Sequence, residues 1–202
     1  VFVLNATSGG ILSHDVDYKL SVGRKKLSAA AQQDVIGFGL GYSDVSNTEG
    51  YSDQFDLYNT TSKRWFASGV VPSKEARQYA TAVGCGGKIL FAGGQVAGGR
   101  SAAVDIYDVS RKTWTNMMLS VARSNLAAAC ILDRYVVFAG GQIPGRATVD
   151  VLDLEKNVWM NSEIALNTGR GWLSAGSVDN CAVFAGGQTV PGKSDIDVFC
   201  LA

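Results

Sequence analysis

The sequence has a single histidine, His14, three prolines in 202 residues, and no two cysteines at Cys-x-x-Cys spacing. Each scarcity excludes something. One histidine, with only Asp15 and Asp17 near it, is no cluster for a zinc or copper centre, which needs several histidine or cysteine ligands. His14 also has no G-x-S-x-G partner, so a serine nucleophile lacks its frame. Eighteen lysines and arginines cancel eighteen aspartates and glutamates, so no global field draws the chain to nucleic acid or an anionic membrane. No apolar run approaches the roughly 20 residues that span a bilayer. The first residues lack the charged start and apolar middle of a signal peptide, and the sequence starts at Val1, as expected of a processed chain or a fragment. The expectation is no metal, no cofactor, no nucleic acid and no membrane span.

Cys85, Cys130, Cys181 and Cys200 stand far apart; the spacing leaves free and bridged cysteines both open, with buried thiols that pack as small apolar groups as the first reading. Two Asn-x-Thr sequons, at Asn5 and Asn59, matter only in a secreted protein. The compartment stays open, with the cytoplasm as first reading and secretion as the alternative.

What the sequence does have is glycine, 24 residues of it, and repetition. Phe-Ala-Gly-Gly-Gln occurs unchanged from Phe91, Phe138 and Phe184, at spacings of 47 and 46 residues. A degenerate copy, Phe38-Gly39-Leu40-Gly41, lies 53 residues upstream, and the longer loop from Tyr42 to Asp53 absorbs the difference. Small-residue runs precede each copy: LSAAAQ from Leu27, ATAVG from Ala80, LAAAC from Leu126 and LSAGS from Leu173. Three residues ahead of each run stands an arginine: Arg24, Arg77, Arg123 or Arg170. After each glycine pair comes an alternating segment, QFDLYN, VDIYDV, VDVLDL or IDVFCL. A tryptophan then follows seven residues after Tyr58, Tyr107 and Leu152, as Trp65, Trp114 and Trp159.

Each period reads as four short strands with turns between them, and no segment has sustained helical periodicity. In the second period the strands fall at about Ala80–Gly84, Lys88–Ala92, Ala103–Tyr107 and Thr113–Met117. Small residues suit an innermost strand crowded around a central channel. The continuous apolar second strand (ILF, VVF or AVF) suits burial on both faces. The glycine pair suits a turn that a β-carbon would strain or block.

Glycine doublet, tyrosine and tryptophan at about 47 residues per repeat resemble the kelch motif, over nearly the whole chain from about Tyr18. The resemblance implies an all-β, kelch-type β-propeller of four-stranded antiparallel blades, with about four blades seen. Taken as one domain over 1–202, it divides into a partial blade 1–23, blades 24–70, 71–119 and 120–166, and a partial blade 167–202. Kelch propellers usually have six or seven blades, so the chain is expected to be part of a larger propeller or to associate with another copy. The copper oxidases that share a kelch-like propeller use several tyrosine, histidine and cysteine ligands, which this sequence does not supply.

The resemblance makes the chain a non-catalytic interaction or scaffolding module. The alternatives are a structural subunit packed through blade edges, and the remnant of an enzyme whose site lies in missing blades. Loops between strands two and three open on the same face as the links between blades. That face carries Arg24, Arg77, Arg123 and Arg170 near the channel mouth, with Arg100, Arg146 and Lys193 beyond the glycine pairs. As a cationic rim these would capture the carboxylates of an acidic peptide or an anionic glycan. The competing reading is that the four repeat arginines hydrogen-bond loop carbonyls and serve the fold alone. Two further candidates are the Tyr42–Asp53 loop, with Asp44, Glu49 and Asp53, and an aromatic shelf of Tyr79 and Trp172, two residues past their arginines, where the other copies have Lys26 and Asn125. The partner expected is a protein or further copies of the chain itself.

Overall fold

The structure, a computed structural model, describes residues 2–4, 11–14, 19–44, 50–67, 71, 73–142, 147–160, 163–188 and 194–201. It is built of strands, and no helix occurs among the described residues.

A hairpin of β1 (Phe2–Leu4) and β2 (Ile11–His14) comes first. Blade one follows as β3 (Ser28–Gln32), β4 (Val35–Gly39), β5 (Phe55–Asn59) and β6 (Arg64–Ala67), each antiparallel to the next. Blade two is β7 (Thr81–Cys85) and β8 (Lys88–Ala92), a small ribbon of β9 (Gln95–Val96) with β10 (Gly99–Arg100), then β11 (Ala103–Asp108) and β12 (Thr113–Met118). Blade three is β13 (Ala127–Ile131), β14 (Tyr135–Ala139), β15 (Val149–Asp153) and β16 (Val158–Met160). Blade four shows three strands among the described residues: β17 (Ser174–Val178), β18 (Cys181–Ala185) and β19 (Ile196–Cys200). In the second repeat every main strand lies within about a residue of its expected place; the β9–β10 ribbon is additional.

The seven-residue step from tyrosine to tryptophan is a hairpin geometry. Tyr58 faces Trp65, Tyr107 faces Trp114 and Leu152 faces Trp159 as direct cross-strand partners. Directly opposed large side chains are the unit of sheet stabilisation. Tyr107 and Trp114 sit 5.0 Å apart, and Phe55 of blade one reaches Trp114 at 4.9 Å and Phe91 at 4.9 Å, edge-on for the latter. Aromatic pairs of this kind contribute about 0.5–1.5 kcal/mol each beyond their buried area.

Between successive blades lies one apolar layer each. Leu57, Ile89 and Phe91 fill the first, Leu90, Val104 and Phe138 the second, and Ala139, Val151 and Phe184 the third. The second strands β8 and β14 are therefore buried on both sides along their apolar length. β18 instead alternates, because no further blade covers its outer side among the described residues. On that side Val178, Ile196 and Val198 are more than half exposed.

The innermost strands β3, β7, β13 and β17 run side by side around the channel. A β-carbon on Gly84 would stand 1.9 Å from the carbonyl oxygen of Ala31 on the neighbouring blade, so the small-residue run is a requirement of backbone approach.

The cysteines correct the reading of free thiols. Cys85 is bonded to Cys130 with Cα atoms 5.6 Å apart, Cys181 is bonded to Cys200, and no free cysteine remains. The first bond joins the innermost strands of blades two and three, and the second joins cross-strand neighbours in blade four. The separation of 45 residues between Cys85 and Cys130 is close to one repeat length, which is the sequence signal for bridging equivalent strands of adjacent blades.

Candidate recognition face

The four repeat arginines lie at the channel end of the blades, where the links between blades enter. Their side chains are fully buried, which corrects the reading of Arg24, Arg77, Arg123 and Arg170 as a ligand-capturing rim. Each is held by an aspartate on the third strand of its own blade: Arg24 by Asp56, Arg77 by Asp105, Arg123 by Asp150 at 2.7 Å and Arg170 by Asp197 at 2.7 Å. In Arg77 and Arg170 a further donor reaches the glycine turn. Arg77 Nε donates to the carbonyl of Gly93 at 2.8 Å and Arg170 Nε to that of Gly186 at 2.8 Å, while Arg123 and Arg170 also reach Phe138 and Phe184. A guanidinium fits this task because its planar fork satisfies a carboxylate and several carbonyls at once.

The same turns lock each blade to the next. The amides of Gly41, Gly94 and Gly141 donate to the carbonyls of Arg77, Arg123 and Arg170, the arginines of the following blade, at 2.8–2.9 Å. Gly93 adopts φ +65°, and a β-carbon there would stand 2.4 Å from the Arg123 carbonyl oxygen. In blade one Leu40, at φ 64°, takes this left-handed place and is buried.

Sequence reasoning missed the aspartates. The signal was present: QFDLYN, VDIYDV, VDVLDL and IDVFCL each put an aspartate among apolar residues of a buried strand, where a carboxylate demands a cationic partner.

Two residues beyond each arginine the chain behaves differently. Lys26, Tyr79, Asn125 and Trp172 all have positive φ, between 55° and 57°. Only asparagine among these four tolerates that region readily, and for other residues it costs roughly 1–2 kcal/mol. The conformation is held by a ladder running around the channel. The Tyr79 amide donates to Lys26 at 3.4 Å, that of Asn125 to Tyr79 at 3.0 Å and that of Trp172 to Asn125 at 2.9 Å.

These four residues, with the alanine or leucine that follows each, line an open cup of about 270 Å³ at the channel mouth. Trp172 is 49 % exposed, Lys26 is exposed and Tyr79 is half-buried. The Lys26 ammonium lies 4.8 Å from the centre of the Tyr79 ring and 5.4 Å from that of Tyr42. Asn125 is buried, and its amide donates to Gln142 Oε1 at 3.0 Å. The cup thus offers two aromatic surfaces and a cation.

Of the other candidates, Arg100 lies half-buried on β10, with Nε unpartnered among the described residues. Arg146 and Lys193 lie outside the described residues, as do Glu49 and the side chain of His14. From the long loop, Asp44 pairs with Lys25 at 3.5 Å in solvent, and Asp53 accepts from Gln54 at 2.7 Å.

Four-stranded antiparallel blades, inner strands around a shared axis and a repeated arginine–aspartate lock define a β-propeller. A family model described as Kelch motif matches residues 76–118, which run from just before Arg77 to the end of β12 and so cover blade two. The other blades repeat the sequence pattern of the matched one in register, so the match supports a kelch-type repeat in each. That motif points to a protein-interaction propeller, and kelch-repeat proteins are generally non-catalytic binding modules. No curated protein matches the chain.

Proposed function

We propose that the chain is a non-catalytic recognition module that binds an acidic segment of a protein partner in the cup at its channel mouth. The observation that carries this reading is the ring of left-handed residues. Strained, solvent-facing side chains persist where the surrounding structure holds them and function uses them. The Trp172 and Tyr79 faces suit apolar or aromatic side chains, and the Lys26 ammonium beside them suits a carboxylate. This replaces capture by buried arginines with capture by the residues two positions on. Arg100 stands on the same end of the blades as a further cation.

The test uses a fluorescein-labelled peptide of alternating glutamate and tyrosine, with a heparin-derived oligosaccharide as second probe, both read by anisotropy. Peptide binding that Lys26→Glu weakens tenfold or more supports the reading. Binding of the oligosaccharide alone would mean an anionic glycan ligand and overturn it, and so would peptide binding that Lys26→Glu leaves unchanged.

A second reading is packing of blade flanks in a larger assembly, with the flank of blade four that carries Val178, Ile196 and Val198 as the contact. Sedimentation of the native protein separates the two. Assembly that Val198→Lys disperses, with peptide binding intact, would support flank packing.

A further inference from the structure

We propose that Asn59 is an N-glycosylation site and that the chain matures in an oxidising compartment. The first observation is covalent. All four cysteines are paired, one bond crossing between blades and one bracing blade four. Structural disulfides persist in secretory and extracellular compartments and are rare where thiol reductants dominate. In that setting an Asn-x-Thr sequence stops being a chance string.

The second observation is the geometry of Asn59-Thr60-Thr61. It forms the turn between β5 and β6, at the opposite end of the blades from the cup. Thr60, Thr61 and Ser62 are exposed, so nothing among the described residues covers the turn. The Asn59 Oδ1 accepts from the Ser62 amide at 2.7 Å. Its Nδ2 donates to Asp34 Oδ2 at 2.7 Å. A side-chain amide has two N–H bonds. Glycosylation replaces one of them with an N–C bond to the sugar, leaving the second to keep the Asp34 contact while Oδ1 remains an acceptor. Modification therefore leaves one N–H on Nδ2, beside Asp34, and the Oδ1 acceptor for the Ser62 amide.

The equivalent turns carry aspartate. Asp108 accepts from the Arg111 amide at 2.8 Å, and Asp153 from the Glu155 and Lys156 amides at 3.0 and 3.1 Å. Turn geometry alone is thus served by a carboxylate in two blades, and only blade one has the amide and the following hydroxyl. A glycan at this end leaves the cup uncovered.

The experiment takes the protein from its native source, alkylates it without reduction, and maps peptides before and after peptide-N-glycosidase. The expected result is an Asn59 peptide that appears only after the enzyme, converted to aspartate, with no alkylated cysteine. In cells of that source, Thr61→Ala should abolish the glycosidase-sensitive gel shift from this site and Thr61→Ser should keep it, both in an Asn5→Gln background. Thr61 is exposed, and among the described residues its side chain holds no hydrogen bond of the turn, so these variants do not depend on a damaged fold. Unmodified Asn59 in the native protein, or alkylation of Cys85, Cys130, Cys181 and Cys200, would overturn the proposal. A gel shift that survives Thr61→Ala would overturn it as well.

Discussion

Two rings of residues circle the channel mouth two positions apart, and they follow opposite rules. The inner one is arginine in every repeat, fully buried, and paired with an aspartate on the third strand. The other is lysine, tyrosine, asparagine and tryptophan in turn, shares one unusual backbone conformation, and opens to solvent at three of its four places. Sameness from copy to copy marks the scaffold, because every blade must solve the same problem of holding its glycine turn against the next blade. Difference from copy to copy, at a position whose backbone is fixed, marks the surface free to be specific.

The comparison breaks most readily at the scaffold ring. Arg77→Ala leaves Asp105 buried without its cation, and removal of one partner of such a pair costs about 3–5 kcal/mol. Chemical denaturation of this variant should show a loss of that size, and Arg77→Lys should recover only part of it because an ammonium lacks the fork that reaches Gly93 and Asp105 together. A loss below about 1 kcal/mol, the level of an exposed pair, would mean that the guanidinium is not the lock described.

A smaller effect is expected at the joint between blades. Gly93→Ala puts a β-carbon into the left-handed region and against the Arg123 carbonyl, which costs at least about 1–2 kcal/mol from the backbone alone. The denaturation midpoint should fall accordingly. Alanine at Gly98, which has positive φ but nothing within 4 Å, controls for the backbone part without the blade contact.

The far end of the blades sharpens the contrast by pH. The Arg134 guanidinium and the amides of Lys156 and Glu155 hold the Asp153 carboxyl at about 2, outweighing its partial desolvation. An unfolded aspartate titrates near ~3.9. Asp153 therefore stabilises the fold fully above about pH 4, and its contribution is lost as pH falls through 2. Asp153→Asn should be less stable than the parent at neutral pH, with the gap closing between about pH 4 and 2 in acid denaturation curves. A gap that stays constant with pH would assign the effect to packing.

Much of this architecture was legible in the sequence, and the reasons are physical. The strands of blade two could be placed within about a residue because period-two alternation, glycine turns and the tyrosine–tryptophan step each locate the same hairpins. The small-residue run was readable as an inner strand because backbone approach leaves no room for anything larger at Gly84. The site was less legible. Arginine looks the same in a linear string whether it faces solvent or a buried aspartate, and Asp105 lies 28 residues from Arg77. The left-handed backbone at Tyr79 and Trp172 has no signature in residues that normally avoid it. The Cys85–Cys130 disulfide was hidden by one-repeat spacing, which reads as distance in sequence and is adjacency in a propeller.

The most direct test of the two-ring account is the paired measurement of thermal midpoint and peptide-probe affinity for Trp172→Gly. Glycine accepts φ 55° without penalty and removes the exposed indole. The account predicts an unchanged or raised midpoint with affinity lowered tenfold or more. A lowered midpoint with affinity unchanged would place Trp172 in the scaffold and contradict it.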